Sequence, residues 1–204
     1  SEIQKSTTAL TTLLENMLEL SGLISSEEPL PRTETDVCLL CAERLEAQRQ
    51  LSGNPAVEYV YEAGGGDGLV STNAFYLMRV VDNLLQNAAK FTAAGRITLS
   101  CRNDEVRRTL QISVSDTGIG IEPEKREWVF ERFTKVDPFK PGSGIGLYLC
   151  RLIVRHLGGD ADVNCFGRKN VFPHQVAGAF RAFRQGQGQG NCQIGQKSVG
   201  EKNL

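Results

Sequence analysis

Charge of one sign is the first thing this 204-residue chain lacks: 23 lysines and arginines stand against 24 acidic residues, for a formal net charge of −1. A balanced surface carries no field to draw nucleic acid or an anionic membrane, and no nucleic-acid partner is expected. No apolar run is long enough to span a bilayer, and no secretory signal opens the chain. Any membrane attachment is therefore expected through regions outside this sequence. The chain opens at Ser1 already inside a helical pattern, as a piece cut from a longer protein would. Histidine is scarce, with only His156 and His174. Cys38 and Cys41 form C-x-x-C, but no second pair and no histidine stands at zinc spacing, which favours a core role over a metal or redox one. The six cysteines lie mostly among apolar residues, as free thiols of a reducing, cytoplasmic compartment do. No internal repeat is present.

Against these absences, residues 110–121 stand out. Leu110, Ile112 and Val114 alternate with polar residues, the period of a half-buried strand, and Asp116 falls in their phase. A carboxylate aimed inward must be hydrogen-bonded, because an unpaired buried charge is too costly. Its partner is either a ligand amino group or the backbone of the turn at Thr117 to Gly120.

Residues 1–24 read as a helix with a wide apolar stripe through Ile3, Leu10, Leu13, Leu14, Met17, Leu18, Leu20 and Leu23. Nothing nearby in sequence covers that stripe. Residues 25–31 form a linker whose prolines end the helix, and a short strand is expected at 31–35. Asp36 is placed to cap a helix to about Gln50, with Val37, Leu39, Leu40 and Leu45 inward. A strand follows at 57–61. Ser71 and Thr72 are expected to open a long helix through about Phe91, with Phe75, Met78, Val81, Leu84, Leu85 and Ala88 on its core face.

Asn83, Asn87 and Lys90 share one side of that helix. Asparagine is a poor helix-interior residue, so the stripe is either a solvated face or a liganded one. Two carboxamide oxygens at that spacing can hold a hydrated magnesium ion, with the lysine adding charge for phosphate. Residues 96–101 form a strand that turns at Asn103-Asp104 into the strand of Asp116. A short helix begins at 122–126. Gly142-Ser143-Gly144-Ile145-Gly146-Leu147 runs into an amphipathic helix to His156. Glycines there leave the first helical N–H groups open as an anion site; tight helix packing is the other explanation. After Phe166 no clear period continues, and Gln185 to Gly190 is low in complexity. An altered or truncated reading frame is one source of such a break, and the sheet would then lack an edge strand.

The order and spacing of these motifs resemble the catalytic ATP-binding domain of sensor histidine kinases, within the superfamily that includes gyrase and the heat-shock chaperone. Residues 82–92 look like the family's N box and Asp116 to Gly120 its first glycine box. Phe130-Glu131-Arg132-Phe133 is similar to the F box and Gly142 to Leu147 to the second glycine box. The resemblance covers about residues 1–160. It implies an α/β two-layer sandwich, one mixed β-sheet packed on about three helices and preceded by a dimerisation helix.

It further implies that residues 1–28 are the second helix of a dimerisation and phosphotransfer hairpin. Residues 29–165 would be the catalytic domain, and 166–204 an atypical, disordered tail. By the same resemblance Asp116 would accept from the adenine amino group. Asn87 with Asn83 would hold Mg2+, and Lys90 would approach the phosphates. Gly118 and Gly120 would leave room for the base, and Ile121 and Phe133 would be among the residues that bind the nucleotide. Gly142, Ser143, Gly144, Ile145, Gly146 and Leu147 would cradle the phosphates, while Lys135 and Lys140 offset charge on the γ-phosphate. The implied chemistry is transfer of the γ-phosphate of MgATP to a histidine, where positioning and charge neutralisation do most of the catalysis. The implied partners are ATP, a second copy through the N-terminal helix, and a response-regulator receiver domain. The phosphoacceptor histidine is missing, since none precedes His156, so this chain is not expected to phosphorylate itself. A nucleotide-binding regulatory module without turnover is the other function open to it.

Overall fold

Alternation of apolar and polar residues on paired strands builds a sheet with one dry face, and the amphipathic helices lie on that face. The computed structural model describes residues 2–25, 30–64, 68–104, 109–137, 140, 142–166 and 175–183. The elements run α1 (Glu2–Ser25), β1 (Thr33–Asp36), α2 (Val37–Ser52), β2 (Val57–Gly64), β3 (Leu69–Thr72), α3 (Ala74–Phe91), β4 (Gly95–Asp104) and β5 (Thr109–Asp116). Two 3-10 turns, Pro123–Lys125 and Trp128–Phe130, precede α4 (Gly146–His156), β6 (Gly159–Phe166) and β7 (Gln175–Phe183). Five strands form a mixed sheet in the order β2-β4-β5-β7-β6, parallel between β2 and β4 and antiparallel elsewhere. A separate two-stranded sheet pairs β1 with β3. Helices α2, α3 and α4 pack on the large sheet, so the two-layer sandwich read from the sequence is found.

Register puts the dry row of β4 and β5 in step. Leu99 stands opposite Val114 and Cys101 opposite Ile112, and all four are buried. The other face is polar, where the Ser113 hydroxyl donates to Ser100 at 3.3 Å. Helix α3 contributes Leu77, Val80, Val81, Leu85 and Ala88 to the core, and α4 contributes Leu149, Cys150, Ile153 and Val154. An Arg44–Asp82 ion pair at 2.7 Å joins α2 to α3.

Several expectations shift by a turn or a face. Asp36 caps α2, accepting from the Leu39 amide at 3.0 Å, but Leu39 itself faces solvent, and Val37, Cys41 and Leu45 form the buried i, i+4, i+8 row. Phe75 is likewise exposed, because Leu77 takes the inward phase. Ser71 and Thr72 end β3 rather than opening α3. The cap is Asn73, which accepts from the Tyr76 amide at 3.1 Å and donates to the Pro31 carbonyl at 2.7 Å.

The largest correction concerns the segment after Phe166. Gln175–Phe183 is a strand, and it lies inside the sheet between β5 and β6. The sheet thus has the strand that the sequence reading withheld. Its residues Ala177, Gly178, Ala179 and Ala182 are too small to leave an apolar alternation that can be recognised. The glutamine–glycine repeat lies outside the described residues. The stripe of α1 divides in two: Leu13 and Leu23 pack on the domain, whereas Leu10, Leu14, Met17 and Leu18 are exposed, Leu18 by 75%.

Candidate functional site

Between α3, the end of β5 and the start of α4 lies a cavity of about 280 Å3. Its floor is Asp116, 7% exposed. The backbone turns directly after β5, so the Gly118 amide reaches back and donates to Oδ1 at 2.8 Å, and the Thr92 hydroxyl donates to the same oxygen at 3.3 Å. Both readings of this acid therefore meet in one place, a turn partner on Oδ1 and a cavity beside it. Burial pushes the carboxyl up to about 6, with the Gly118 and Thr92 hydrogen bonds pulling the other way. A ligand N–H would relieve that cost. Val114, Ile119 and Ile121 wall this end, which suits a flat apolar ring with a polar edge.

The other end is polar and positive. Asn83, Asn87 and Lys90 all line the cavity, as their i, i+4, i+7 spacing requires. Helix α4 begins at Gly146 with no side-chain cap, so its leading N–H groups remain available to an anion. A Cβ on Gly146 would stand 3.3 Å from Asn83 Oδ1, which measures how close α4's first turn comes to the asparagine. Gly142 sits closer still to Lys90 Nζ, at 3.0 Å from its would-be Cβ, and Gly144, at φ +72°, would drive a Cβ to 2.6 Å from the Thr134 carbonyl. These glycines serve close approach. Lys90 is held below the ordinary lysine range, first by burial and then by repulsion from Lys135 and Lys140, with Asp137 opposing. Clustered cations that repel one another are a site short of an anion.

The remaining predicted residues sort by contact. Lys135, Gly120, Ser143 and Leu147 line the cavity. Gly118 does not line it but holds Asp116 from behind, with its would-be Cβ 2.5 Å from the Phe91 carbonyl. Lys140 lies at the margin, donating to the Lys90 carbonyl at 2.9 Å and standing 5.9 Å from the Phe91 ring. Ile145 is wholly buried in the core, and Phe133 is exposed with a left-handed backbone at φ 64°. Sequence reasoning missed Thr92, Asp137 and above all Asn16, which reaches the cavity from α1. Thr92 was legible as the hydroxyl that ends the N box; Asn16 carried no signal, being one polar residue in a leucine-rich stripe.

Comparison with known proteins bears on the family and the fold. The family model of histidine kinase-, DNA gyrase B-, and HSP90-like ATPases matches residues 72–192. The sensor protein SrrB of Staphylococcus aureus is 41% identical over 90 residues, covering 42% of this chain and 15% of the relative. The chain thus spans a small part of the length of such relatives. Among solved structures, the mycobacterial sensor histidine kinase MprB is similar with TM-score 0.63 and 27% identity, over 74% of this chain and 96% of that one. Full-length ShkA in complex with AMPPNP shares the fold at TM-score 0.77 and 23% identity, over 89% of this chain and 37% of that one. ThkA in complex with the response regulator protein TrrA shares it at TM-score 0.68 and 23% identity, over 90% and 49%.

Proposed function

Because the chain belongs to the histidine kinase-, DNA gyrase B-, and HSP90-like ATPase family, we propose that it is the ATP-binding catalytic part of a sensor histidine kinase, passing the γ-phosphate of MgATP to a histidine outside this sequence. The observation that carries this reading is the polarity of the cavity. A buried carboxylate closes one end, and two asparagines, repelling lysines and an uncapped helix N-terminus form the other. In this reading Asp116 accepts from the adenine amino group, and Lys90 and Lys135 neutralise the phosphates. The α4 amides orient them for transfer, where positioning and electrostatics dominate.

Magnesium fits the donors. Asn87 and Asn83 offer two neutral carboxamide oxygens one helical turn apart, a set that suits a hard cation keeping most of its waters. When bound, the ion supplies charge neutralisation on the phosphates. Within the N-terminal unit of residues 1–28, helix α1 acts as the second helix of a dimerising hairpin, supported by the exposed Leu10, Leu14, Met17 and Leu18. The phosphorylated histidine would then serve a response-regulator receiver domain. Among the described residues no helix is long and apolar enough to cross a membrane; a membrane anchor would belong to other parts of the parent, with this domain on the cytoplasmic side.

His156 closes the last turn of α4, where a basic side chain complements the helix dipole, so no phosphoacceptor role is assigned to it. The deciding experiment incubates the chain with labelled ATP and magnesium, alone and with a separately supplied histidine-bearing hairpin. Label is expected on the hairpin only. Stable label on His156 or His174 would defeat the claim that the chain cannot phosphorylate itself, and ATP binding without transfer would favour the regulatory module.

A further inference from the structure

Among its described residues, helix α1 exposes Leu10, Leu14, Met17 and Leu18 but buries the amide of Asn16. Asn16 is 7% exposed and lines the cavity. Its Oδ1 accepts from Arg79 Nη2 at 3.1 Å. A guanidinium has only donors, so the atom facing it must be the carboxamide oxygen, and the amino group of Asn16 is turned away from Arg79. The hydrogen bond described for Asn16 uses its oxygen alone. Arg79 precedes Asn83 by four residues and so lies one turn back along the same face of α3. The buried amide therefore sits at the Asn83 end of the cavity, where α4 begins. An N–H donor in a cavity that also holds Lys90, Lys135 and the uncapped start of α4 matches an anionic oxygen.

Resting on the ATP reading above, we propose that Asn16 is a nucleotide-positioning residue, donating its side-chain amide to a polyphosphate oxygen at the Asn83 end of the site. Arg79 fixes the amide's orientation through the carbonyl oxygen and leaves the amino group for the ligand. The nucleotide site is then completed by α1. Triphosphate binding and the seating of α1 must reinforce each other by the same factor, because coupling between two binding events is reciprocal.

The test is calorimetric titration of the full chain with magnesium AMPPNP and, separately, with adenosine, which has no phosphates. Asn16→Ala should weaken magnesium AMPPNP about tenfold, the scale of one hydrogen bond to a charged group, and leave adenosine unchanged. Asn16→Asp is the sharper variant. It keeps an oxygen for Arg79, and so keeps α1 seated, but sets a carboxylate against phosphate. It should weaken magnesium AMPPNP more than Asn16→Ala does, again with adenosine unaffected. If Asn16→Asp binds magnesium AMPPNP as tightly as the wild type, or if adenosine falls in proportion, the positioning role is overturned while the ATP reading stands. If the wild type binds neither ligand, the ATP reading falls and takes this one with it.

Discussion

The Gly118 amide donates to Asp116 Oδ1 at 2.8 Å, two residues back along the chain. That bond fixes the rotamer of a carboxylate 7% exposed, without returning all that burial costs it. The carboxyl is still pushed up to about 6 from an ordinary value of 3.8. The acid is held in place at a standing energetic loss, as a ligand anchor would be.

Stability should report that loss. Because the folded pKa exceeds the unfolded one, the native state keeps its proton between about pH 4 and 6, and stability falls as pH rises through that window. Above it the ionised acid costs on the order of 3 kcal/mol. Asp116→Asn removes the charge and retains an oxygen for Gly118 and Thr92. It should stabilise the ligand-free protein by about 1–3 kcal/mol at pH 7.5, with the gain fading toward pH 4. Urea denaturation at the two pH values measures it, and a variant less stable than wild type at pH 7.5 would contradict the assignment.

Adenosine binding should titrate with the same group. A carboxylate accepts from the adenine amino group and a protonated acid does so poorly. Affinity is expected to be flat above pH 7 and to fall up to tenfold per pH unit below about 6. In Asp116→Asn the pH dependence should vanish together with most of the affinity. An unchanged pH profile in that variant would place the titrating group elsewhere.

Lys90 belongs to the polar end of the cavity, and its loss should be felt there alone. Lys90→Gln relieves the repulsion from Lys135 and Lys140, so the ligand-free fold should lose no stability. Magnesium AMPPNP should weaken about tenfold while adenosine holds. Parallel titrations check this, and equal loss for both ligands would mean that Lys90 shapes the pocket instead of meeting phosphate.

The thiols of α2 and β4 should differ in reactivity. Cys38 is half-buried and touches Cys101 at 3.7 Å, while Cys41 and Cys101 are buried. Burial, then its Cys101 neighbour, raises the Cys38 thiol; a hydrogen bond with Cys41, then burial, raises Cys101. Thiolate is the reactive form. Native alkylation at pH 7.5 should therefore mark Cys38 before Cys41, Cys101 and Cys150, more slowly than a free thiol, and leave Cys41 and Cys101 to react on unfolding. Peptide mass spectrometry distinguishes the order.

Much of this site was legible because its residues violate local preference. Asparagines mid-helix, an acid in an apolar strand phase and glycines ahead of a helix each need a reason. What the sequence could not reveal follows from the same logic. Ile145 and Phe133 share their segments with true lining residues, and only packing separates a core isoleucine and an exposed phenylalanine from the cavity. Asn16 needed the tertiary fold, since nothing in α1 says which of its sides meets α3. Strand β7 was hidden because Ala177, Gly178, Ala179 and Ala182 take up much of its length: paired on both sides by backbone bonds, it did not need the apolar alternation by which strands are recognised.

The position of β7 also sets an order of events in making the protein. Strand β6 joins the sheet only through β7, and β5 has β7 as its second neighbour. During synthesis, the strand that ends at Asp116 therefore waits with one edge bare until some sixty further residues have left the ribosome. The edge beside the Asp116 strand is thus closed late, and a nascent chain released before residue 175 would expose that edge to whatever strand it met first.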